Sequence, residues 1–263
     1  VGDEHQAIYG FTGADSDALK LIGAATDAVE LPLTVSYRCP KAIIALAQTY
    51  VSHIQAHEDA DQGEVITIKE GDLASTAKVG DAILCRFNAP IIKQAYAFVA
   101  KGIPARVEGR EIGEGLKKLA GRWKSKNFDE LLKKLDAYEE REIAKATAKE
   151  QTARITSIED SVACLRIIID RVIKSGAAGV PALLINAEVD RIFGDDASKG
   201  PHVLLSTIHK SKGREWKNVF WLQTGPSKRA KLAWQVQQEK NLCYVAITRA
   251  QSKLILVEME AAT

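Results

Sequence analysis

The sequence predicts an α/β fold, a parallel sheet flanked by helices, with a mainly helical insertion. Three observations predict it. Short aliphatic, β-branched runs at residues 64–68, 81–85, 105–108 and 254–257 alternate with stretches whose apolar residues recur at i, i+3 and i+4. Strands separated by whole helices need crossover connections and so pair in parallel. Across residues 111–199 the strand signal gives way to helical intervals rich in Lys, Glu, Ala and Leu.

Taken in order, Val1 and Gly2 read as the end of a strand. Residues 15–25 form a helix opened by Asp15 or Ser16 as N-cap. Residues 29–35 are extended, like a strand crossing between lobes. Pro40 presets a helix over 41–54, with Ile43, Ile44, Ala47 and Val51 on one face. Polar residues 57–63 are loop. After the strands at 64–68 and 81–85, a helix over 91–101 ends at Gly102 and a strand at 105–108 closes the unit. In the insertion, Leu116, Leu119, Trp123, Phe128, Leu131, Leu132 and Leu135 keep helical spacing. A second helix covers 158–175, a third covers 181–193, and polar 147–155 is either helix or linker. Strand, loop and strand resume over 202–223, 224–231 is loop, and a helix with Leu242, Val245 and Ala246 on one face precedes the terminal strand.

An apolar fraction of 46% with 27% charged residues is ordinary for a globular chain, and 263 residues can bury one large core or two small ones. The net charge of +2 carries no global basic signal. Nucleic-acid contact would have to come from local clusters: Lys117-Lys118, residues 122–126, 210–214 and 228–231. Taken without any motif, three of these four runs read as solvated faces. Cys39, Cys85, Cys164 and Cys243 lack Cys-x-x-Cys spacing, and the five histidines are dispersed, so no metal site is predicted. The thiols read as reduced and partly buried. No apolar run approaches the ~20 residues that cross a bilayer, so a cytoplasmic location without a membrane partner is expected.

Four segments carry the functional signal. The first is Val1-Gly-Asp-Glu-His-Gln6-Ala-Ile-Tyr9-Gly-Phe11-Thr12-Gly-Ala14. Gln6 follows a turn just past a strand end, where ligands of open α/β sheets gather. Tyr9 and Phe11 are aromatics in a glycine-flanked loop, suited to stacking bases at about 1–3 kcal/mol each without regard to sequence. The second segment, Ser36-Tyr37-Arg38-Cys39-Pro40, sets a flat ring beside a guanidinium. The third, Val203 to Val219, offers Thr207 and His209 as donors suited to sugar-phosphate, the turn Lys212-Gly213, then Glu215 and Trp216. The fourth runs from Glu239 to Ala250 and places Arg249 at a helix end, where a planar fork of donors can be aimed at phosphate. Taken alone, it reads as a surface arginine on an amphipathic helix.

In this order the four resemble motifs III, IV, V and VI of the UvrD/Rep family, superfamily 1 DNA helicases that move 3′ to 5′ on single strands. A weaker match runs over residues 82–109, where Arg86 and Asn88 resemble residues touching the DNA backbone. The resemblance implies a RecA-like sheet. Residues 1–28 would end an N-terminal RecA-like domain, 29–110 with 200–263 would form a discontinuous C-terminal one, and 111–199 an accessory insertion much shorter than in well-known members. It assigns Gln6 to the γ-phosphate or its attacking water, Tyr37 to stacking on adenine, and Arg38 and Arg249 to the phosphoryl group. Glu215, beside the turn at Gly213, would accept from the ribose hydroxyl. Tyr9, Phe11, Thr207 and His209 would meet DNA. Thr12 replaces the usual Arg, removing a cation; Ser36 stands where Asn is frequent; Trp216 replaces Phe as a packing residue.

The resemblance also implies ATP and Mg²⁺, single-stranded DNA and single/double-strand junctions, and repair or replication proteins as partners. No P-loop string occurs here. Gly113-Glu-Gly115-Leu-Lys117-Lys118 lacks both its spacing and its strand, and Asp3-Glu4 lies within motif III rather than forming the magnesium-binding pair. The expected reading is the C-terminal part of a helicase whose magnesium ligands and P-loop sit in a preceding half. Inactivity of the fragment alone follows from that reading. A non-catalytic interaction module and the helicase part of a helicase–nuclease are the alternatives. Retention of Gln6, Arg38, Glu215 and Arg249 weighs against the first, and the lack of a carboxylate cluster after motif VI weighs against the second.

Overall fold

Each of the four aliphatic runs foreseen as a strand forms one. The structure, a computed structural model, describes residues 2–10, 18–29, 31–194 and 200–260. Phe11, Thr12, Asp15 and Ser16 lie outside the described residues. In chain order the elements begin α1 (Ala18–Thr26), β1 (Val35–Ser36), α2 (Lys41–Ala47), β2 (Gln55–Ala56), β3 (Glu64–Lys69), α3 (Leu73–Thr76) and β4 (Ala82–Cys85). Then follow α4 (Asn88–Ala100), β5 (Ala105–Val107), α5 (Arg110–Gly121), α6 (Phe128–Thr147), α7 (Thr152–Lys174) and α8 (Pro181–Phe193). The chain continues with β6 (Val203–Thr207), α9 (Ile208–Ser211), β7 (Trp216–Gln223), α10 (Ala233–Ile247) and β8 (Ala250–Glu258).

These elements divide between two units. The first holds Val1–Leu73, Asp81–Arg86 and Ile208–Thr263; the second holds Ala74–Gly80 and Phe87–Thr207. In the first, four parallel strands run in the order β3-β8-β7-β4, with register from Glu64↔Lys253 to Lys69↔Glu258 and from Ala82↔Val219 to Cys85↔Leu222. Every residue of β4 is buried, the continuous apolar pattern of a strand covered on both faces. Its core joins Ile43, Ile44 and Ala47 of α2 to Leu242, Val245, Ala246 and Ile247 of α10 and to Leu84, Val219 and Leu254 of the strands. Each such burial contributes about 1.5–3 kcal/mol for a large aliphatic side chain. The chain is therefore α/β, with parallel strands flanked by helices, as the sequence predicts.

The second unit pairs β5 with β6 in parallel, Ala105↔Val203 to Val107↔Leu205, and packs its helices on α7. That helix buries Ile155, Ile158, Val162, Leu165, Ile168, Ile169 and Val172. Asp160 of α7 also closes the N-terminus of α4: its carboxylate accepts from the backbone N–H of Asn88 and Ala89 at 3.0 Å and from Asn88 Nδ2 at 2.7 Å. Residue 87 is Phe and gives α4 no side-chain cap, so the carboxylate from α7 supplies it.

Several elements depart from the sequence expectations. The extended segment at 29–35 is strand only at its end, since Leu31 and Leu33 are more than 80% exposed and have nothing to pack on. Helix α2 stops at Ala47 because Gln48 Nε2 reaches Ile54 O at 2.9 Å and holds a turn, after which β2 pairs in parallel with β1. The 147–155 segment breaks at Glu150, whose φ of 53° ends one helix before Thr152 opens the next. After β6 comes a single helical turn, α9, rather than loop. The Gly113–Lys118 stretch lies inside α5, so it is not a strand-to-helix phosphate loop. No helix among the described residues is long and apolar enough to cross a membrane.

Removing the α4 cap tests this account of the second unit. Asp160→Ala leaves two helix N–H groups and the Asn88 amide without their acceptor, and should cost about 1–3 kcal/mol in urea unfolding. Asp160→Asn, keeping an acceptor oxygen, should cost less.

Candidate functional site

The site in the first unit grows from the junction of α10 and β8. Thr248 ends the helix, its Oγ1 donating to Tyr244 O at 2.9 Å, and Arg249 is the first residue beyond it. Arg249 is 1% exposed, and its guanidinium is held by its own unit: Nε donates to Val245 O at 3.0 Å, Nη1 to Arg214 O at 3.1 Å and Nη2 to Thr248 Oγ1 at 3.1 Å. The reading of a surface arginine on an amphipathic helix is thereby corrected. Three of the five guanidinium donors are spent on the unit's own oxygens, because a buried guanidinium must be hydrogen-bonded. Burial, and after it the neighbouring Arg38 cation, lower the Arg249 pKa from its usual value.

Arg38 pairs directly with Glu215, and both side chains are about 40% exposed. Glu215 also accepts from Gln251 Nε2 at 2.7 Å. Gly213, with φ of 83°, makes the turn that carries the chain from α9 to Glu215 and on to β7. Trp216 packs on the core as expected, and Arg214 lies 5.1 Å from its ring centroid. Tyr37 is 81% exposed and lies 4.6 Å from the His57 ring, an open aromatic face beside Arg38. Cys39 is buried beneath; burial raises its pKa, while the Arg38 and Arg249 cations work against that. Tyr244 is pushed up to about 12 by burial, then by Asp3 and Cys39, with Arg249 and Arg38 opposing. Arg38, Glu215 and Arg249 thus share one electrostatic neighbourhood around Cys39 and Tyr244, and Asp3, which also faces Tyr244, brings Gln6 to its edge.

Gln6 sits in a single 3-10 turn, Glu4–Gln6, capped by Asp3. Its Nε2 donates to Asp3 Oδ2 at 2.7 Å, and Asn241 Nδ2 of α10 ties the turn down through Glu4 O at 3.0 Å and Ala7 O at 2.9 Å. Ile8 is fully buried, and Tyr9 beyond it is 38% exposed, its hydroxyl donating to His209 O at 2.9 Å. His209 lies in α9 rather than in a loop. Burial, then the Arg86 cation, lower its pKa to about 3, while a hydrogen bond with the Ile8 backbone works the other way. It is a neutral imidazole and brings no positive charge to a phosphate. Arg86 is committed to Glu239, with contacts of 3.0 to 3.2 Å.

The second unit holds the other two predicted residues. Thr207 is the buried last residue of β6, not part of a loop, because the β5–β6 pairing continues to Glu108 N–H donating to Leu205 O at 2.8 Å. Asn88 opens α4 and spends its amide on Asp160. Sequence reasoning missed Asp3, Asn241, Glu239 and Gln251 as the residues that hold the site in place. A signal existed for two of them: Glu239 and Asn241 are polar residues beside the apolar run that starts at Leu242, and both are buried with it. Among the described residues, the grouping of potential metal ligands is the surface run His57-Glu58-Asp59.

Residues 109–261, more than half of the chain, match the UvrD-like helicase C-terminal domain family. The match takes in Thr207, His209, Gly213, Glu215 and Arg249, while Gln6, Tyr9, Tyr37, Arg38, Arg86 and Asn88 precede it. The chain is 26% identical, over 97% of its length, to F-box DNA helicase protein 1 of Schizosaccharomyces pombe (strain 972), and spans 30% of that relative. Among solved structures, the C-terminal domain of a possible DNA helicase from Lactobacillus plantarum WCFS1 aligns over 87% of this chain and 90% of its own, at 12% identity and a TM-score of 0.38.

The buried imidazole makes stability depend on pH. With a folded pKa of about 3 against an ordinary 6.5, the unfolded chain takes up a proton at His209 that the folded chain refuses. Stability from this residue is complete above pH 6.5 and declines as pH falls toward 3. Urea unfolding of His209→Gln should show a shallower loss between pH 6.5 and 4 than the parent, the range in which only the unfolded imidazole titrates.

Proposed function

We propose that this chain, which belongs to the UvrD-like helicase C-terminal domain family, is the C-terminal part of an ATP-dependent translocase and helicase that moves 3′ to 5′ on single-stranded DNA. The observation that carries the proposal is the gathering of Arg38, Glu215 and Arg249, which lie far apart in sequence, around Cys39 and Tyr244 in the first unit, with Gln6 joined to Tyr244's other neighbour, Asp3, by a hydrogen bond. Two cations and a glutamine as donors, a carboxylate as acceptor and an exposed aromatic ring make a set of groups that fits a nucleoside triphosphate. ATP, when bound, supplies the phosphoryl group whose transfer to water drives movement.

Each residue then has a part. The open face of Tyr37 stacks on the base. Glu215 accepts from the ribose hydroxyl, once Arg38 leaves it for the γ-phosphate. Arg249 stabilises charge on the transferring group through the two N–H donors that its own unit does not take. Gln6 orients the attacking water and signals to Tyr9, which stacks on DNA together with Phe11. Thr207 and His209 place the strand, with neutral His209 acting as a hydrogen-bond donor, and Arg86 and Asn88 support the backbone path. The proposal puts the end of an N-terminal RecA-like domain at 1–28, the C-terminal one at 29–110 with 200–263, and an accessory insertion at 111–199. The preceding half would provide the P-loop and the magnesium ligands, so this chain alone would be inactive. Single-stranded DNA, strand junctions and repair or replication proteins are its partners, and four free thiols fit a reducing cytoplasm.

A structural reading of Arg249 competes, since its burial alone would explain its hydrogen bonds. Arg38 separates the two. Half-exposed, its ion pair contributes only about 0–1 kcal/mol, so Arg38→Ala should keep the parent's melting temperature. In the whole protein it should still lower kcat by about 10² or more if the cleft reading holds. Arg249→Ala should lower kcat at least as far and also destabilise, by about 1–3 kcal/mol for each carbonyl left unpaired. Lys at 249 should restore little of the rate. Near-normal turnover in both variants would refute the nucleotide assignment.

Tyr9→Ala should weaken binding of fluorescent oligonucleotides equally for every sequence, by a factor matching a loss of about 1–3 kcal/mol, without loss of folding. A collapse in melting temperature would instead make the ring a packing residue.

A further inference from the structure

We propose that Lys212 is the positioning residue that couples the nucleotide end of this site to the DNA end. Its Nζ donates to the backbone carbonyl of Gln6 at 2.9 Å and lies 5.5 Å from the centroid of the Tyr9 ring. One ammonium therefore holds both the residue assigned to the γ-phosphate and the residue assigned to a DNA base. The circuit closes through the backbone. The Tyr9 hydroxyl donates to His209 O, and the N–H of Lys212 donates to the same carbonyl at 3.4 Å. Buried Ile8 anchors the segment between Gln6 and Tyr9, and Asn241 holds Ala7 O.

Two properties of an ammonium suit it to this task. Its donors rotate freely on a flexible stem, so it can keep a carbonyl while shifting against a ring. Its attraction to an aromatic face depends on how closely it approaches that face. A shift of the Gln6 carbonyl on nucleotide binding changes the cation's place over Tyr9. A base stacked on Tyr9 changes the same contact from the other side, and coupling of this kind is reciprocal. The sequence segment of Lys212 reads only as a turn; it is the fold that sets its side chain against Gln6 and Tyr9.

This inference rests on the helicase reading, and its test separates the two. In the whole protein, the ratio of ATPase rates with and without single-stranded oligonucleotide is measured for the parent, Lys212→Met and Lys212→Arg, with the melting temperature of each. Lys212→Met keeps the stem and loses the cation. Its ratio should fall by about 5-fold or more, a typical coupling between sites. The KM for ATP should stay within about 2-fold, because the residue touches no part of the nucleotide in this reading. Lys212→Arg, which can both donate and lie over a ring, should recover most of the ratio. A parent-like ratio in Lys212→Met overturns the coupling role. So does an equal fall in both rates, or failure of Arg to rescue, each of which marks a merely structural lysine. A parent protein whose ATPase ignores DNA refutes the helicase reading itself, and the coupling with it.

Discussion

The arrangement around the site depends on a buried guanidinium. Arg249 could not stay in the interior of its unit unless its donors found oxygens, and those oxygens come from three places: the last turn of α10, the C-cap threonine and the turn before β7. One side chain thereby fixes the end of the helix relative to the segment that carries Gly213 and Glu215. The strand register adds to the constraint, since Trp216 N–H donates to Arg249 O at 2.9 Å just where β7 and β8 begin to pair. Glu215 owes its position to this frame, and Arg38 in turn owes its partner to Glu215.

Charge is handled differently at each depth. The half-exposed pair Arg38–Glu215 sits in water's reach, holds little energy and is easily exchanged for another partner. The pair Arg86–Glu239 is largely buried, with several hydrogen bonds between its members and a further one from Ser227 N–H to the carboxylate at 3.3 Å. Breaking such a pair leaves an uncompensated buried charge, so it acts as a fixture. His209 stays neutral chiefly because it is buried, and this neighbouring cation adds to that.

Much of this was legible in the residues. Strands over β3, β4, β5 and β8 follow from aliphatic runs, and the bounds of α8 follow from Pro181 and the apolar spacing up to Phe193, because local pattern and burial agree there. The residues that gather in the first unit were nameable from their motif segments. Errors fell where long-range contacts overrule local preference. Residues 48–54 keep a helical pattern, yet Gln48 turns back to Ile54 and β2 pairs with β1 instead. Thr207 looked like loop and is strand, because its neighbours pair with β5.

The sequence by itself determined the α/β class, the alternation of strands and helices and the helical character of the insertion, since these depend on periodicity, and it supplied the polar and aromatic residue types of the four motif segments. Only the tertiary structure decided that Arg249 is buried and bonded, that His209 is neutral, that Arg86 is spoken for by Glu239 and that Lys212 touches both Gln6 and Tyr9. Each of those outcomes depends on at least one contact between residues thirty or more positions apart. Desolvation and partner choice are properties of the packed interior, and no local pattern along the chain encodes them.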